Sequence, residues 1–191
     1  RLDASHEYVG SFVDLINPYA LLGGLTTLAL FTLHGAVFLA LKTDGELRVR
    51  AGALAVRLGV AAIVVAAGFL TWTQFVRSDP AGVLLSAGAA VALLGGVFAA
   101  VRRREGWAFI GTGAAIVLAT AALFTTLFPN VLPSSLAEAN SLTVHNASAT
   151  PYTLKIMTWV AVFFTPVVLA YQSWTYWVFR RRLRVEDIPH T

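Results

Sequence analysis

Apolar residues fill five long stretches of this chain, and charged side chains are missing from the middle of each stretch. The stretches cover residues 18–41, 58–76, 82–101, 107–128 and 153–179. A hydrocarbon core of about 30 Å needs about 20 helical residues, and lipid offers no hydrogen bonds to an exposed backbone. The pattern therefore predicts an all-α membrane protein, a bundle of five transmembrane helices.

The chain divides into three parts: an N-terminal segment (residues 1–17), a transmembrane domain (18–179) and a tail (180–191). The transmembrane domain includes a long loop at residues 129–152. Basic residues cluster in alternate segments. They are Lys42, Arg48, Arg50 and Arg57 in the first connection, Arg102, Arg103 and Arg104 in the third, and Arg180, Arg181, Arg182 and Arg184 in the tail. Because basic segments favour the cytoplasmic side, we expect the N-terminal segment and the long loop outside and the C-terminus in the cytoplasm.

Composition agrees with a membrane protein and excludes several other classes. The 191 residues are 57% hydrophobic and 13% charged, with a mean hydropathy of +0.71. The net charge of +4 comes from short basic runs between apolar stretches, which favours lipid head groups over nucleic acid as the partner. The chain contains no cysteine, so disulfides and thiolate metal sites are excluded. It begins at Arg1, and we expect it to be part of a longer polypeptide.

His34 is the main polar candidate inside an apolar stretch. It lies about 24 Å along the first predicted helix from Pro18, and it could bond a neighbouring helix or make a proton or cofactor contact shared with another subunit. A haem held by this chain alone would need a second axial ligand. Met157 is the only methionine, and its predicted depth differs from that of His34 by roughly 15 Å. The remaining histidines, His6, His145 and His190, lie outside the apolar stretches.

Asp14 is the acidic residue nearest to the first predicted helix. It precedes Asn17 and Pro18, so it could cap that helix or lie at the outer mouth of a site. None of the five apolar cores holds a carboxylate, and we find no phosphate loop, paired-histidine zinc motif or nucleophile elbow. The sequence therefore predicts no catalytic residue and no metal site in this chain.

Several sequence blocks, taken in order, resemble one family of membrane enzymes. They are GSFVDLINPYALLGG at 10–24, HGA at 34–36, KTDGEL at 42–47, FP at 128–129, LPSS at 132–135, NSLT at 140–143 and TLKIMTWVA at 153–161, followed by Pro166, Tyr171 and the residues 174–177. This set is similar to the second half of subunit II of the cytochrome bd quinol oxidases. The blocks extend over nearly the whole chain.

The resemblance implies a larger, pseudo-symmetric subunit of which this chain is the C-terminal five-helix portion. It implies a heterodimeric terminal oxidase of the bacterial plasma membrane, which oxidises lipid quinol, reduces dioxygen to water and generates a proton-motive force. Haem b and haem d would be held by subunit I, a quinone and a small accessory subunit could also be present, and this chain alone would ligate no haem. Trp159 lies in the block at 153–161. Together, His34, Asp14 and Trp159 are the candidate polar or interface residues.

Two other classes of function remain open from the sequence. A transporter or channel subunit would have polar, broken helices meeting at mid-membrane, and only Pro166 in the fifth apolar stretch points that way. A structural membrane assembly protein is the other alternative. Its loss would leave quinol oxidase turnover intact.

Overall fold

The computed structural model describes residues 2–182, and five of its helices are long and apolar enough to cross a membrane. They are α2 (Pro18–Lys42), α3 (Gly45–Val76), α4 (Pro80–Val101), α5 (Glu105–Leu127) and α6 (Pro151–Val178), preceded by the short helix α1 (Phe12–Leu15). The all-α membrane fold predicted from the sequence is confirmed. The predicted tail, 180–191, lies outside the described residues from residue 183 onward.

The described residues form two compact units. One contains residues 8–128, and the other contains residues 2–7 with Pro129–Arg182. In the first unit α2 packs on α3 and α4 packs on α5, with further contacts of α3 with α4 and of α2 with α5. Its core is built from small and branched side chains. Those with the least exposure include Leu33, Val37, Ala55, Ala62, Ala108 and Ala122.

Three of the four long helices of the first unit, α2, α3 and α4, begin directly after a side chain that caps them. The Asn17 side chain accepts a hydrogen bond from Ala20 N at 2.9 Å and caps α2, while Asp79 accepts from Gly82 N at 2.8 Å and caps α4. Proline follows both caps, at a position where its missing N–H costs no helical bond. These caps explain why the membrane helices begin at Pro18 and Pro80.

The helix α3 begins well before the apolar stretch that predicted it. It starts at Gly45 rather than at residue 58, so Arg48, Arg50 and Arg57 of the predicted connection are helical. The Asp44 side chain accepts from Gly45 N at 2.9 Å and supports this early start. Hydropathy marks only the lipid-embedded part of a helix, whereas a capped helix can continue into the head-group region.

In α4 and α5, two glycines bring the backbones into direct contact. A Cβ built on Gly111 would lie 2.6 Å from Gly96 Cα, and a Cβ built on Gly96 would lie 2.9 Å from Thr112 N. Neither position has room for a side chain. Helix association in lipid depends on such close packing, since no water is expelled between the helices.

The second unit contains a small hairpin that joins the N-terminal residues. Strands β1 (Asn130–Leu132) and β2 (Leu142–Thr143) pair antiparallel, with a 3-10 helix at Glu138–Asn140 between them. The buried residue Leu2 donates from its N to Ser134 Oγ at 3.2 Å, and its carbonyl accepts from Ser134 Oγ at 2.9 Å. The helix α6 follows, and none of its residues is buried.

Candidate functional site

His34 lies on α2 and contacts α5 through both its polar edge and its ring face. Its Nδ1 is 2.8 Å from Thr112 Oγ1, and its ring stacks on Phe109 with centroids 4.5 Å apart. The side chain is half-buried, and Nε2 has no hydrogen-bond partner among residues 2–182. The imidazole thus contacts a neighbouring helix, and the role of His34 stays a prediction.

Thr112 holds the α5 side of this contact. It is 1% exposed, and its Oγ1 is 2.9 Å from the Ala108 carbonyl oxygen, the usual partner of a threonine within a helix. When the hydroxyl donates to that carbonyl, Nδ1 of His34 carries the hydrogen and donates to Oγ1. The neutral imidazole then has a lone pair at Nε2, the nitrogen that faces away from Thr112.

The pair depends on the glycine contact between α4 and α5. A Cβ built on Gly96 would lie only 2.9 Å from the backbone N of Thr112. Because α4 and α5 are in such close contact here, α4 sets the position of this part of α5. Gly113, next along α5, leaves the His34 ring room at ordinary contact distance. His34 could be identified from the sequence, but Thr112 and Phe109 could not, because a membrane threonine or phenylalanine has no feature that marks it as a partner.

The residues around His34 do not fit a haem held within this unit. The Phe109 ring covers one face of the imidazole, and Nδ1 is occupied by Thr112. Residues 8–128 contain no other histidine, no methionine and no cysteine that could be the second axial ligand. Across residues 2–182 no group of three or more histidine, aspartate or glutamate side chains is arranged to hold a metal ion.

Asp14 and Trp159 are not members of this pair. The Asp14 carboxylate accepts from Ser11 N at 2.9 Å, within α1, while Asn17 caps the first membrane helix. Asp14 thus takes part in the cap of the short helix α1, whereas the sequence had suggested a cap of the first membrane helix, α2. Trp159 is 67% exposed on α6, in the unit that does not contain His34.

A second polar cluster, which the sequence did not indicate, joins α3, α4 and α5. Gln74 Nε2 donates to Ser86 Oγ at 3.1 Å and lies 3.5 Å from Thr126 Oγ1, while Gln74 Oε1 is buried without a partner among the described residues. The same residues Gln74 and Ser86 lie at the polar end of an apolar cavity of about 410 Å³. Amides in a membrane helix commonly act as such interhelical bonds.

Comparison with known proteins identifies the family of this chain. Residues 2–179 match the family model described as cytochrome bd terminal oxidase subunit II. The chain belongs to this family. The resemblance found in the sequence blocks is confirmed, and the family together with the five membrane-length helices makes this a multi-pass membrane protein.

Individual members of the subunit II family support the match. The cytochrome bd ubiquinol oxidase subunit 2 of Bacillus subtilis (strain 168) is 33% identical over 187 residues, which cover 95% of this chain and 55% of the relative. The cytochrome bd-I ubiquinol oxidase subunit 2 of Escherichia coli (strain K12) is 30% identical over 215 residues, covering 95% and 57%. The probable cytochrome oxidase subunit 2 of Haemophilus influenzae is 32% identical over 206 residues, covering 88% and 53%. The chain thus spans about half the length of the curated relatives it matches.

Proposed function

We propose that the full-length protein containing this chain is subunit II of a cytochrome bd terminal oxidase, which oxidises membrane quinol and reduces dioxygen to water. The observation that carries this proposal is the family match across residues 2–179, together with five helices of membrane-spanning length and composition. Electrons and protons leave the quinol, and dioxygen receives the electrons with protons from the cytoplasm. The reaction would generate a proton-motive force.

In this proposal, haems b and d are held by subunit I. The lack of a fitting axial pair around His34 supports that division, because the only imidazole of the unit formed by residues 8–128 is already bonded to Thr112. His34 then stabilises the contact of α2 with α5. A quinone and a small accessory subunit belong to the proposal only as expected components of the complex.

The helix α6 is the part of this chain that we assign to the interface with subunit I. It is apolar over 28 residues, and none of them is buried. Its exposed aromatic side chains supply the large contact areas that interfaces use. They include Trp159, Phe163, Phe164, Tyr171, Trp174 and Trp177.

We also propose an orientation, with the N-terminal segment and the 129–152 loop outside and the C-terminus in the cytoplasm. Four membrane-length helices separate these two outer segments, which returns the chain to its starting side. The bonds of Leu2 with Ser134 agree with a common side. The α2–α3 and α4–α5 connections then lie in the cytoplasm, together with the adjoining helix ends, and these segments hold seven of the chain's 14 basic residues.

Single cysteines test the orientation in a cysteine-free version of the full-length protein. Ser78→Cys, between α3 and α4, is expected to react with a membrane-impermeant maleimide in intact spheroplasts. Gly106→Cys, near the start of α5, has open space around it and is expected to react only after permeabilisation. The reverse pattern of labelling would invert the proposed topology.

Oxygen consumption tests the function itself. In a strain that lacks its other quinol oxidases, deletion of the gene for the full-length protein is expected to abolish quinol-dependent oxygen uptake by isolated membranes. Plasmid-borne wild-type protein is expected to restore it. Undiminished quinol oxidase turnover in the deletion strain would instead indicate an assembly or transport protein.

A further inference from the structure

A cavity of about 610 Å³ opens at one end of the unit formed by residues 8–128. At this end α2 and α4 end and α3 and α5 begin. We call it the basic end, because seven of the 14 basic residues lie there, in the two turns or in the adjoining helix ends. Part of the cavity wall is apolar. It includes Val37, Ala40, Val49, Val56, Ala100 and Val101.

Charged side chains line the remainder of the cavity, and only some of them are engaged. Arg48 forms an ion pair with Glu105 at 2.7 Å, and the Asp44 carboxylate caps α3. The side chains of Arg57 and Arg103 also line the cavity, and within residues 2–182 neither makes an ion pair or a hydrogen bond. Two guanidinium groups are therefore available to an anion beside an apolar wall.

Arg103 reaches the cavity from a backbone position that arginine seldom occupies. Its φ is 56°, and its N donates to the Ala100 carbonyl at 3.0 Å while Arg104 N donates to the Ala99 carbonyl at 2.9 Å. This is the left-handed residue that ends a helix, where glycine or asparagine is usual. An arginine at this position ends α4 and also adds a positive charge at the cavity.

The position of the cavity along the helices indicates what kind of anion it would meet. Arg57 directly precedes the apolar part of α3, which begins at Leu58, and α4 is apolar up to Val101. The cavity thus lies where lipid-embedded helix gives way to charged helix ends, at the level of phospholipid head groups. Basic pockets between membrane helices are favourable sites for anionic lipid head groups.

We propose that this cavity binds an anionic phospholipid, with its phosphate between Arg57 and Arg103 and an acyl chain along the apolar wall. A guanidinium group suits a phosphate because its planar donors can bond two phosphate oxygens at once. The apolar wall favours a lipid over a soluble phosphate, which would leave that wall unfilled. The proposal does not depend on the oxidase function.

Native mass spectrometry of the purified full-length complex tests the site with dioleoylphosphatidylglycerol as the probe. The double variant Arg57→Gln/Arg103→Gln removes the two guanidinium charges. It is expected to weaken phosphatidylglycerol binding about 25-fold, since each charge contributes a factor of about five. The matched control combines Arg50→Gln and Arg102→Gln, which remove two charges from the same end outside the cavity. Arg50 pairs with Glu46, and Arg102 lies over the Phe98 ring at 5.0 Å. The control is expected to change the affinity less than about twofold, because screening weakens exposed charges.

A second variant tests the apolar wall without changing any charge. Gly52 lines the cavity with open space around it, so Gly52→Leu should fit and fill part of the acyl-chain path. We expect it to weaken phosphatidylglycerol binding while the complex elutes as wild type. Phosphatidylcholine and inorganic phosphate, each added alone, are expected to bind poorly to every version.

Three results would overturn the proposal. Equal losses in the cavity and control variants would mean diffuse attraction to the whole basic end. Unchanged phosphatidylglycerol binding in the double arginine variant would mean that the cavity is not the site. Inorganic phosphate that binds with the same dependence on Arg57 and Arg103, and is unaffected by Gly52→Leu, would make the ligand a soluble phosphate.

Discussion

The glycine contact between α4 and α5 leads to a prediction with a close internal control. Gly96→Ala places a Cβ 2.9 Å from Thr112 N and 3.1 Å from Gly111 C, both of them backbone atoms that cannot rotate away. Gly95→Ala, one residue earlier in the same helix, places its Cβ in open space, with nothing within 4 Å. Both substitutions replace glycine with alanine in the same helix, and they differ only in the atoms that surround the new Cβ.

The expected difference follows from these distances. Ordinary carbon contacts are about 3.5–4.0 Å, so Gly96→Ala requires α4 and α5 to separate by roughly 1 Å, which forfeits a quarter to a half of the dispersion energy of the facing atoms. Overpacking of this kind costs about 1–3 kcal/mol. Alanine also stabilises a helix by about 0.8–1 kcal/mol relative to glycine, but that gain is common to both variants. Gly96→Ala should therefore be about 1–3 kcal/mol less stable than Gly95→Ala.

Thermal unfolding of the full-length protein in its complex measures this difference. Tryptophan fluorescence in mild detergent, with size-exclusion chromatography after heating, gives the midpoint for each variant. We expect Gly95→Ala to unfold at or above the wild-type midpoint and Gly96→Ala below it. Equal midpoints for the two variants, or a lower one for Gly95→Ala, would refute the close approach of α4 and α5.

Three further predictions concern other contacts. Thr112→Val keeps the shape of the side chain but leaves Nδ1 of His34 without its partner, so we expect a loss of about 1–3 kcal/mol in thermal stability that His34→Phe largely abolishes in the double variant. Glu105→Gln removes a half-buried ion pair between α3 and α5 and should lower the unfolding midpoint more than Glu46→Gln, which breaks an exposed pair worth less than about 1 kcal/mol. Trp159→Ala, on the exposed face of α6, should reduce the amount of subunit I that co-purifies without changing the haem spectrum per assembled complex.

Each of these has a result that would count against it. Additive effects of Thr112→Val and His34→Phe would mean that the 2.8 Å contact carries no coupling energy. A larger effect of Glu46→Gln than of Glu105→Gln would contradict the burial argument. Selective loss of one haem signal at normal assembly in Trp159→Ala would place that residue near a cofactor rather than at an interface.

The membrane helices could be predicted from the sequence because a segment in lipid must have apolar side chains and must satisfy its backbone hydrogen bonds within its own helix. The start of α2 at Pro18 agrees with its apolar stretch, and α4 starts at Pro80, slightly before the stretch predicted from residue 82. The start of α3 at Gly45 could not be predicted from hydropathy. Its first turns are charged, and they are helical because Asp44 caps them and water or head groups solvate their side chains.

The contacts of the candidate site were less predictable for a different reason. Thr112 is 78 residues from His34, and nothing local to either residue marks the other as its partner. Glycine is abundant in α4 and α5, but its abundance in the sequence does not distinguish Gly96, where a Cβ would meet backbone atoms, from Gly95, where a Cβ would meet nothing within 4 Å. Which glycine faces the neighbouring helix depends on how each helix is rotated about its axis. That rotation is set by the packing of the whole unit.

The most direct test of the central claim is the composition and spectrum of the native complex. The full-length protein, tagged and purified in mild detergent from its own membrane, should co-purify with a second large membrane subunit. Its dithionite-reduced minus oxidised visible spectrum should then contain the band of haem d. A stably folded protein that purifies alone and without haem would contradict the oxidase assignment.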